Sequence, residues 1–266
     1  QVTVRPLLVH FNPQDPQNPR PHPTQQIPVF YPKLKSRTTS YFYRMNYSVH
    51  FLEKQTDFDR VMQSIADAPW IGFDTEFVGE KTYIPVLCLL QVIAGDEIYL
   101  VDTLQIGNLD AFLQIVADPK VLKITHAGDN DYRLLYTLFG TVPSNTFDTQ
   151  IAAGFVGYNY PAGFGKIVEK EIRVTLTKSH TVTDWAVRPL DQKAINYAVE
   201  DVKYLPALHE KLTRKLAKHQ REGWSREENR KWESESFYIN DPNKELLASD
   251  LVHYIDFKEK IFLMRL

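Results

Sequence analysis

The segment at residues 70–77, WIGFDTEF, places two acidic residues within a run of apolar and aromatic ones. The apolar residues predict a buried β-strand, and side chains in a strand alternate between its two faces. Asp74 and Glu76 therefore project from the same face. Two carboxylates held this close and partly removed from water repel each other unless a cation or a shared proton offsets their charge. The segment either holds a metal ion or is not a strand.

The surrounding sequence predicts one mixed α/β domain. Two further apolar runs, PVLCLLQVIAG and DEIYLVDT, are separated by a tight-turn signal, which indicates an antiparallel meander with the first strand. A helix over NLDAFLQIVAD, a buried strand over VLKITHAG and a helix over NDYRLLYTLFG follow. After residue 146 the periodicity is helical to about residue 218. This order predicts a central mixed sheet flanked by helices.

Composition excludes several classes of protein. The chain has 266 residues, and no apolar run approaches the roughly 18–20 residues that a membrane span needs. Cys88 is the single cysteine, which excludes an internal disulfide and a thiolate-rich zinc site and fits a reducing compartment. Because no secretory pattern is visible, the cytoplasm is the default expectation. The net charge of −2 leaves open an anionic partner that binds through metal ions.

The first 45 residues differ from the rest. Eight of the sixteen prolines fall within the first 32 positions. Proline fixes φ and removes a backbone donor, so residues 1–45 are predicted to be extended or disordered. Their charge is mostly basic, which fits either a solvated linker or a weak phosphate-contacting tail.

Further acidic residues lie at positions where a core would not favour them. In YAVEDVKYL, Tyr197 and Asp201 are four residues apart and share one face of a predicted helix, while Glu200 faces solvent. In HAGDNDYRLL, Asp129 and Asp131 begin a helix, where acids are also common as caps. Acidic oxygens are the natural ligands of Mg²⁺ and Mn²⁺. Two such ions about 3.5–4 Å apart can hold the attacking and leaving oxygens of a phosphoryl displacement.

The order of these motifs resembles the DEDDy 3′–5′ exonuclease superfamily. The surrounding segments are most similar to its ribonuclease D branch, which includes the catalytic domain of the Rrp6 type. The segments that carry the resemblance lie in the same order over about 150 residues: FDTEFVGEKTYIPVLCLLQV, EIYLVDTL, HAGDNDYRLL, FDTQIAAGFVGY, LTKSHTVTDWAVRPL and YAVEDVKYLPAL. The resemblance covers residues 46–216 and implies a ribonuclease-H-like fold.

The resemblance implies the roles of five residues. It assigns Asp74, Glu76, Asp131 and Asp201 as ligands of two divalent ions, Mg²⁺ or Mn²⁺. The family spacing from the motif-two histidine selects Asp131 and leaves Asp129 as a cap. Tyr197 would hydrogen-bond the attacking water, because a phenol with an ordinary pKa near 10 is a poor proton acceptor at neutral pH.

Four other positions have functional interpretations. Phe77, His126 and Arg188 have two alternative roles each, and Tyr83 has one. Phe77 either stacks on a terminal base or belongs to the core. His126 either contacts a phosphate or is a structural residue at a strand end. Arg188 either reaches a phosphate or pins the third-motif helix through its several donors. Tyr83 would line the entrance. The sequence departs from the family at Arg173, where the family often has glycine.

The resemblance implies hydrolysis of single-stranded 3′ ends to nucleoside 5′-monophosphates, with RNA favoured over DNA. The alternatives are a DNA exonuclease of the Werner or proofreading kind and a catalytically silent RNA-binding scaffold. Residues 217–266 resemble the helical linker that precedes an HRDC nucleic-acid-binding domain. The expectation is that this domain is absent from the chain or truncated.

Overall fold

The computed structural model describes residues 47–79, 85–176 and 184–239. The described residues form one mixed sheet of six strands in the spatial order β1-β4-β3-β2-β5-β6. The strands are β1 (Ser48–Leu52), β2 (Trp70–Val78), β3 (Val86–Ala94), β4 (Glu97–Val101), β5 (Leu122–Thr125) and β6 (Thr146–Asp148).

The pairing of the strands confirms the predicted meander and mixed sheet. β2 pairs antiparallel with β3, and β3 pairs antiparallel with β4. β1 lies parallel to β4, β5 parallel to β2, and β6 parallel to β5. The three-residue strand β6 falls where the sequence indicated only helix, because so short a strand shows no period of its own.

Helices cover both faces of this sheet. The described residues form eight α-helices: α1 (Gln55–Ile65), α2 (Asp110–Ala117), α3 (Asp129–Phe139), α4 (Thr149–Phe155), α5 (Phe164–Ile172), α6 (Gln192–Lys203), α7 (Leu205–His219) and α8 (Glu222–Asn229). Two 3₁₀ turns, Arg230–Glu233 and Glu235–Phe237, follow α8. Within the described ranges, no helix is both long and apolar enough to cross a membrane.

The core is centred on strands β2 and β3. All but the first residue of β3 are buried, as expected for a strand that has neighbours on both sides and helices on both faces. Phe73 of β2 makes edge-to-face contacts with Phe112 of α2 and Tyr132 of α3, with ring centroids 5.4 and 5.7 Å apart. These contacts fix α2 and α3 against β2 on the face opposite to Asp74 and Glu76.

Gly72 allows the start of α7 to approach β2 closely. A Cβ atom at this position would lie 2.7 Å from Ile93 Cγ2 and 3.1 Å from Leu205 Cδ1. Any larger residue would therefore displace Ile93 of β3 and crowd Leu205, which follows the helix that carries Asp201.

The segment after α7 packs onto the domain. Trp232 and Tyr238 are buried within the main hydrophobic core. The backbone N–H of Asp148 donates to Asn229 Oδ1 at 2.8 Å, and that of Thr146 donates to Glu233 Oε1 at 2.9 Å. Helix α8 and the two 3₁₀ turns thus lead into buried contacts and contribute to the core. Residues 1–46 and 240–266 lie outside the described part of the chain, so the extension and the domain boundaries remain predictions.

Candidate active site

Strand β2 presents Asp74 and Glu76 on the face of the sheet that α6 covers. The helix packs across β2, β3 and β4. Asp191 caps its first turn, accepting a 2.7 Å hydrogen bond from the Ala194 N–H. Buried Ala198 and Val202 hold α6 against the sheet, which directs the neighbouring polar face of the helix toward the two acids.

Three of the four predicted acids form one cluster. Asp74, Glu76 and Asp201 each offer a carboxylate oxygen, and these oxygens all lie within 4.8 Å of one another. That separation suits the ligands of a single cation. The acid pair of β2 therefore lies beside the acid of α6.

Asp131 lies beside this cluster rather than within it. It is buried in the first turn of α3, and its Oδ1 accepts a hydrogen bond from the Thr75 hydroxyl. Asp148 fixes the turn that leads into α3, because its Oδ2 accepts a 2.8 Å hydrogen bond from the Gly128 N–H. The expected capping by Asp129 is wrong: Gly128 occupies the cap position, and Asp129 instead pairs with Arg133 at 3.1 Å.

The acids are held where their negative charges repel. Burial raises the pKa of Asp74 well above its ordinary value, and the charges of Asp131, Asp201 and Glu76 raise it further. Burial, followed by the charges of Asp201 and Asp131, raises the pKa of Glu76 to about 8. Burial also raises the pKa of Asp201, with Glu200 and Asp131 contributing. The carboxylates therefore need a cation to be ionised together at neutral pH.

The donor set fits a hard divalent cation. Asp201 Oδ2 is buried and has no hydrogen-bond partner among the described residues. An orphaned carboxylate oxygen beside two further carboxylates is a costly arrangement for a metal-free protein and a favourable one for Mg²⁺ or Mn²⁺. No other group of three or more His, Cys, Asp or Glu residues in the described chain has this spacing.

Tyr197 faces the cluster from one helical turn before Asp201. Burial raises the pKa of its phenol, and the charges of Asp201, Glu76 and Asp74 raise it further. The phenol therefore stays protonated at neutral pH, which makes it a poor base there. Its ring lies 6.1 Å from that of Trp185, which packs beside it.

Comparison with known proteins decides the family. Residues 49–217, well over half of the chain, match the sequence profile of the family described as 3′–5′ exonuclease. The chain belongs to the 3′–5′ exonuclease family. The acids of β2, α3 and α6 all fall inside the matched range.

Relatives of this exonuclease domain are ribonuclease D proteins. The ribonuclease D of Sphingobium indicum is 39% identical over 182 residues, which cover 68% of the chain and 47% of that protein. The crystal structure of Escherichia coli RNase D matches with a TM-score of 0.73 at 30% identity, over 81% of the chain and 57% of that structure. The catalytic core of RRP6 from Trypanosoma brucei has the same fold, with a TM-score of 0.68 at 23% identity over 79% of the chain and 61% of the core.

These similarities confirm the predicted branch and the predicted fold. The exonuclease domain has the mixed six-stranded sheet with flanking helices expected for this family. The chain spans about half the length of the curated relatives that it matches.

Arg188 of the exonuclease domain makes the contacts expected of a residue that pins the third-motif helix. Its Nε and Nη2 donate to the two carboxylate oxygens of Asp102 at 2.6 and 2.8 Å, and Nη2 also donates to the Cys88 carbonyl at 2.7 Å. Nη1 donates to the carbonyls of Trp185 and Val187. Arg188 thus ties the turn before α6 to strand β3 and to the residue that follows β4.

The other predicted substrate contacts differ in exposure. Phe77 follows a shift in the β2–β3 register after Glu76, and 37% of it is exposed, which leaves its ring accessible for stacking. His126 is mostly enclosed: its Nδ1 lies 2.9 Å from Thr149 Oγ1, and burial lowers the pKa of its imidazole to about 4. These are the contacts of a structural histidine. Tyr83 lies outside the described residues.

Sequence reasoning missed Thr75 and the environment of Gln91. The Thr75 hydroxyl bonds Asp131 from the opposite face of β2, a contact that no local pattern reveals. Gln91 pairs with Asp74 across β2 and β3 and is fully buried, yet neither of its amide atoms has a hydrogen-bond partner among the described residues. The apolar run around Gln91 gave the only available signal, a polar residue at a buried position.

Proposed function

We propose that the chain is a metal-dependent 3′–5′ exoribonuclease that hydrolyses single-stranded 3′ ends to nucleoside 5′-monophosphates. The observation that carries this proposal is the cluster of Asp74, Glu76 and Asp201, whose oxygens lie within 4.8 Å inside a 3′–5′ exonuclease domain. The relatives named ribonuclease D support RNA as the substrate. The E. coli structure is described as that of an exoribonuclease involved in structured RNA processing.

We assign the ligands of two divalent ions, Mg²⁺ or Mn²⁺, to the four acids. Asp74, Glu76 and Asp201 would hold the first, and Asp131 would contribute to holding the second. When bound, such ions lower the pKa of water and offset the charge that develops on the phosphate. The requirement for two ions rests on the number of acids, since Asp131 lies outside the three-acid cluster.

The chain's own groups orient the reactants. The protonated phenol of Tyr197 forms a hydrogen bond with the attacking water and holds it beside the acids. The exposed ring of Phe77 stacks on the terminal base. Attack by water on phosphorus breaks the bond to the 3′-oxygen of the preceding nucleotide, which leaves with a proton and becomes the new 3′ end.

The test uses RNA and DNA of one sequence, each with a labelled 3′-terminal nucleotide and a free 3′-hydroxyl. We expect the labelled 5′-monophosphate to be released first from RNA when Mg²⁺ or Mn²⁺ is present and not in EDTA. Asp201→Asn should abolish release. Glu200→Gln, which removes the adjacent acid paired with Lys203 at 3.2 Å, should retain activity.

Each alternative has its own outcome in this assay. Faster release from DNA would favour the DNA exonuclease. RNA binding without release under every metal condition would favour the silent scaffold, and undiminished activity of Asp201→Asn would remove that residue from the mechanism. The cytoplasmic location remains a prediction.

A further inference from the structure

A basic pocket lies between α5 and α7, apart from the acidic cluster. It is an open cavity of about 390 Å³. Its lining is formed by the segment after α4, the end of α5 and the exposed side of α7: Gly157, Tyr158, Lys170, Glu171, Arg173 and Lys215. We call this group of six residues the α5–α7 pocket.

The single acid of the α5–α7 pocket is already neutralised. The Glu171 carboxylate accepts hydrogen bonds from the Tyr158 hydroxyl and from Lys215 Nζ, and Lys211 Nζ donates to the Glu171 carbonyl. Burial alone would raise the pKa of this carboxyl, but the bonds from Lys215 and Tyr158 and the neighbouring lysine charges hold it below its ordinary value. The positive charges of Lys170 and Arg173 remain uncompensated, since neither forms a salt bridge with any described acid.

The cations and the tyrosine form one arrangement. Lys170 Nζ lies 5.2 Å and Lys215 Nζ 5.9 Å from the centre of the Tyr158 ring. These contacts limit the freedom of two long side chains and keep their charges at the mouth of the cavity. Proteins that bind single-stranded nucleic acids use this combination: lysine and arginine contact the backbone, and an aromatic ring stacks on a base.

Arg173 occupies a backbone position that favours glycine. It ends α5 with a φ of 67°, in the left-handed region. The dipole at the end of α5 favours a cation there. A glycine, however, would adopt this backbone conformation at a lower energetic cost. The dipole also does not account for Lys211 and Lys215 on α7. A charged side chain at this point is therefore expected to contribute something other than local stability.

The α5–α7 pocket is joined to the acidic cluster through two elements. Lys215 lies on α7, about 15 Å along the helix from Leu205. Leu205 follows α6, which carries Asp201. A strand whose 3′ end lies at the acids would follow α7 to place nucleotides a few positions upstream in the pocket.

We propose that the α5–α7 pocket binds a backbone phosphate of the single-stranded nucleic acid, upstream of the 3′ end held at the acidic cluster. This inference rests on the proposed function, because it takes the same strand as the ligand. It predicts that affinity depends on substrate length. A dinucleotide reaches only the acids, whereas an oligonucleotide of about 12 residues also reaches the pocket.

The test compares Arg173→Gly and Lys170→Gln with the control Lys120→Gln. Arg173→Gly removes the charge and suits the left-handed backbone, so its Tm should be unchanged or raised. Lys120 is an exposed lysine at the start of the segment that leads into β5, remote in sequence from the pocket. Lys215 is left intact because its loss would strand the Glu171 carboxylate.

Binding is measured by fluorescence anisotropy with the 12-residue RNA in EDTA, across a range of salt concentrations. Each pocket variant should bind about five-fold more weakly, the upper limit for an exposed ion pair. The slope of log affinity against log salt should become shallower by about 0.7 for each phosphate that the variant no longer neutralises. Hydrolysis of a dinucleotide should keep its KM in both variants.

Affinities and slopes equal to those of Lys120→Gln would overturn the pocket proposal. A loss of affinity that is equally large for the dinucleotide would also overturn it, since the effect would not then depend on the upstream strand. Absence of metal-dependent hydrolysis in the unaltered protein would instead overturn the proposed function. The anisotropy comparison, made in EDTA, separates these two failures.

Discussion

Tyr197 illustrates how a single residue near the acids can contribute without holding a metal. Its phenol stays protonated and lies one helical turn from Asp201. We expect Tyr197→Phe to lower kcat by about 10²-fold, because the water loses an orienting hydrogen bond. KM and Mn²⁺ affinity, measured by calorimetry, should be unchanged. A parallel loss of Mn²⁺ affinity would show that the phenol supports the ligands rather than the water.

Gln91 gives a prediction about stability. Both of its amide atoms are buried beside Asp74 without a hydrogen-bond partner in the described structure. Gln91→Met keeps the shape and removes the uncompensated polar atoms, so the free energy of unfolding should rise by about 1 kcal/mol. Urea unfolding of the metal-free protein measures it. A decrease of similar size would mean that the amide is satisfied in solution.

Whether a site residue could be predicted depends on how far apart in the sequence its contacts lie. The shared faces of Asp74 and Glu76 and of Tyr197 and Asp201 come from strand and helix periods, so local spacing sufficed. The bond between Thr75 and Asp131 joins residues 56 positions apart and depends on how α3 docks on β2. No local pattern encodes that docking.

At the scale of elements, the ion pair between Arg188 and Asp102 holds the turn before α6 on the sheet. The Asp102 carboxylate is 1% exposed and accepts two of the hydrogen bonds that the guanidinium donates. We expect Arg188→Met to lower the free energy of unfolding by about 3–5 kcal/mol, because it leaves a buried carboxylate unpaired. Chemical denaturation measures this loss.

The double variant Arg188→Met with Asp102→Asn provides the matched control. Removing the stranded charge should restore part of the lost stability. If the single variant is as stable as the unaltered protein, the pair does not hold this turn.

Elements were predicted best where their pattern was long. The meander of β2, β3 and β4 was evident because long apolar runs flank a turn signal. β6 was missed because three residues show no period, and its place at the sheet edge depends on contacts with residues after 222. Similarly, the DWAVRPL motif left two roles open for Arg188, since its partner lies 86 residues away.

At the scale of the whole molecule, we expect the acidic cluster to make stability depend on pH and on metal. The raised pKa of Glu76 means that the folded chain binds this proton more tightly than the unfolded chain does. As pH rises from about 4.5 to about 8, the unfolded chain loses the proton first, so the cluster's contribution to stability falls. Above that range both states are ionised and the loss is complete.

We therefore expect the Tm of metal-free protein, relative to that of Glu76→Gln, to decrease across this pH range. Mn²⁺ should reverse the decrease by binding the ionised acids of the folded state only. Differential scanning calorimetry with EDTA or Mn²⁺ measures both effects. A constant difference in Tm between the two proteins would contradict the raised pKa.

The segment after α7 also bears on the whole molecule. A chain that ends at residue 216 loses buried Trp232 and Tyr238 and should have a Tm at least about 10 °C lower than one that ends at residue 239. Loss of one large buried aromatic costs about 3–5 kcal/mol, and each kcal/mol shifts Tm by about 2–4 °C in a domain of this size. Equal Tm values would support the boundary at residue 216 that the resemblance implies.

The two edges of the sheet are not equivalent. At β6, the N–H groups of Thr146 and Asp148 are occupied by side chains of Glu233 and Asn229, so a further strand cannot add there. Among the described residues, β1 pairs only with β4. In a pair of copies joined through their β1 strands, the outer edge of each sheet would be β6, where no further strand can add. Self-association of this kind would therefore stop at a pair of copies.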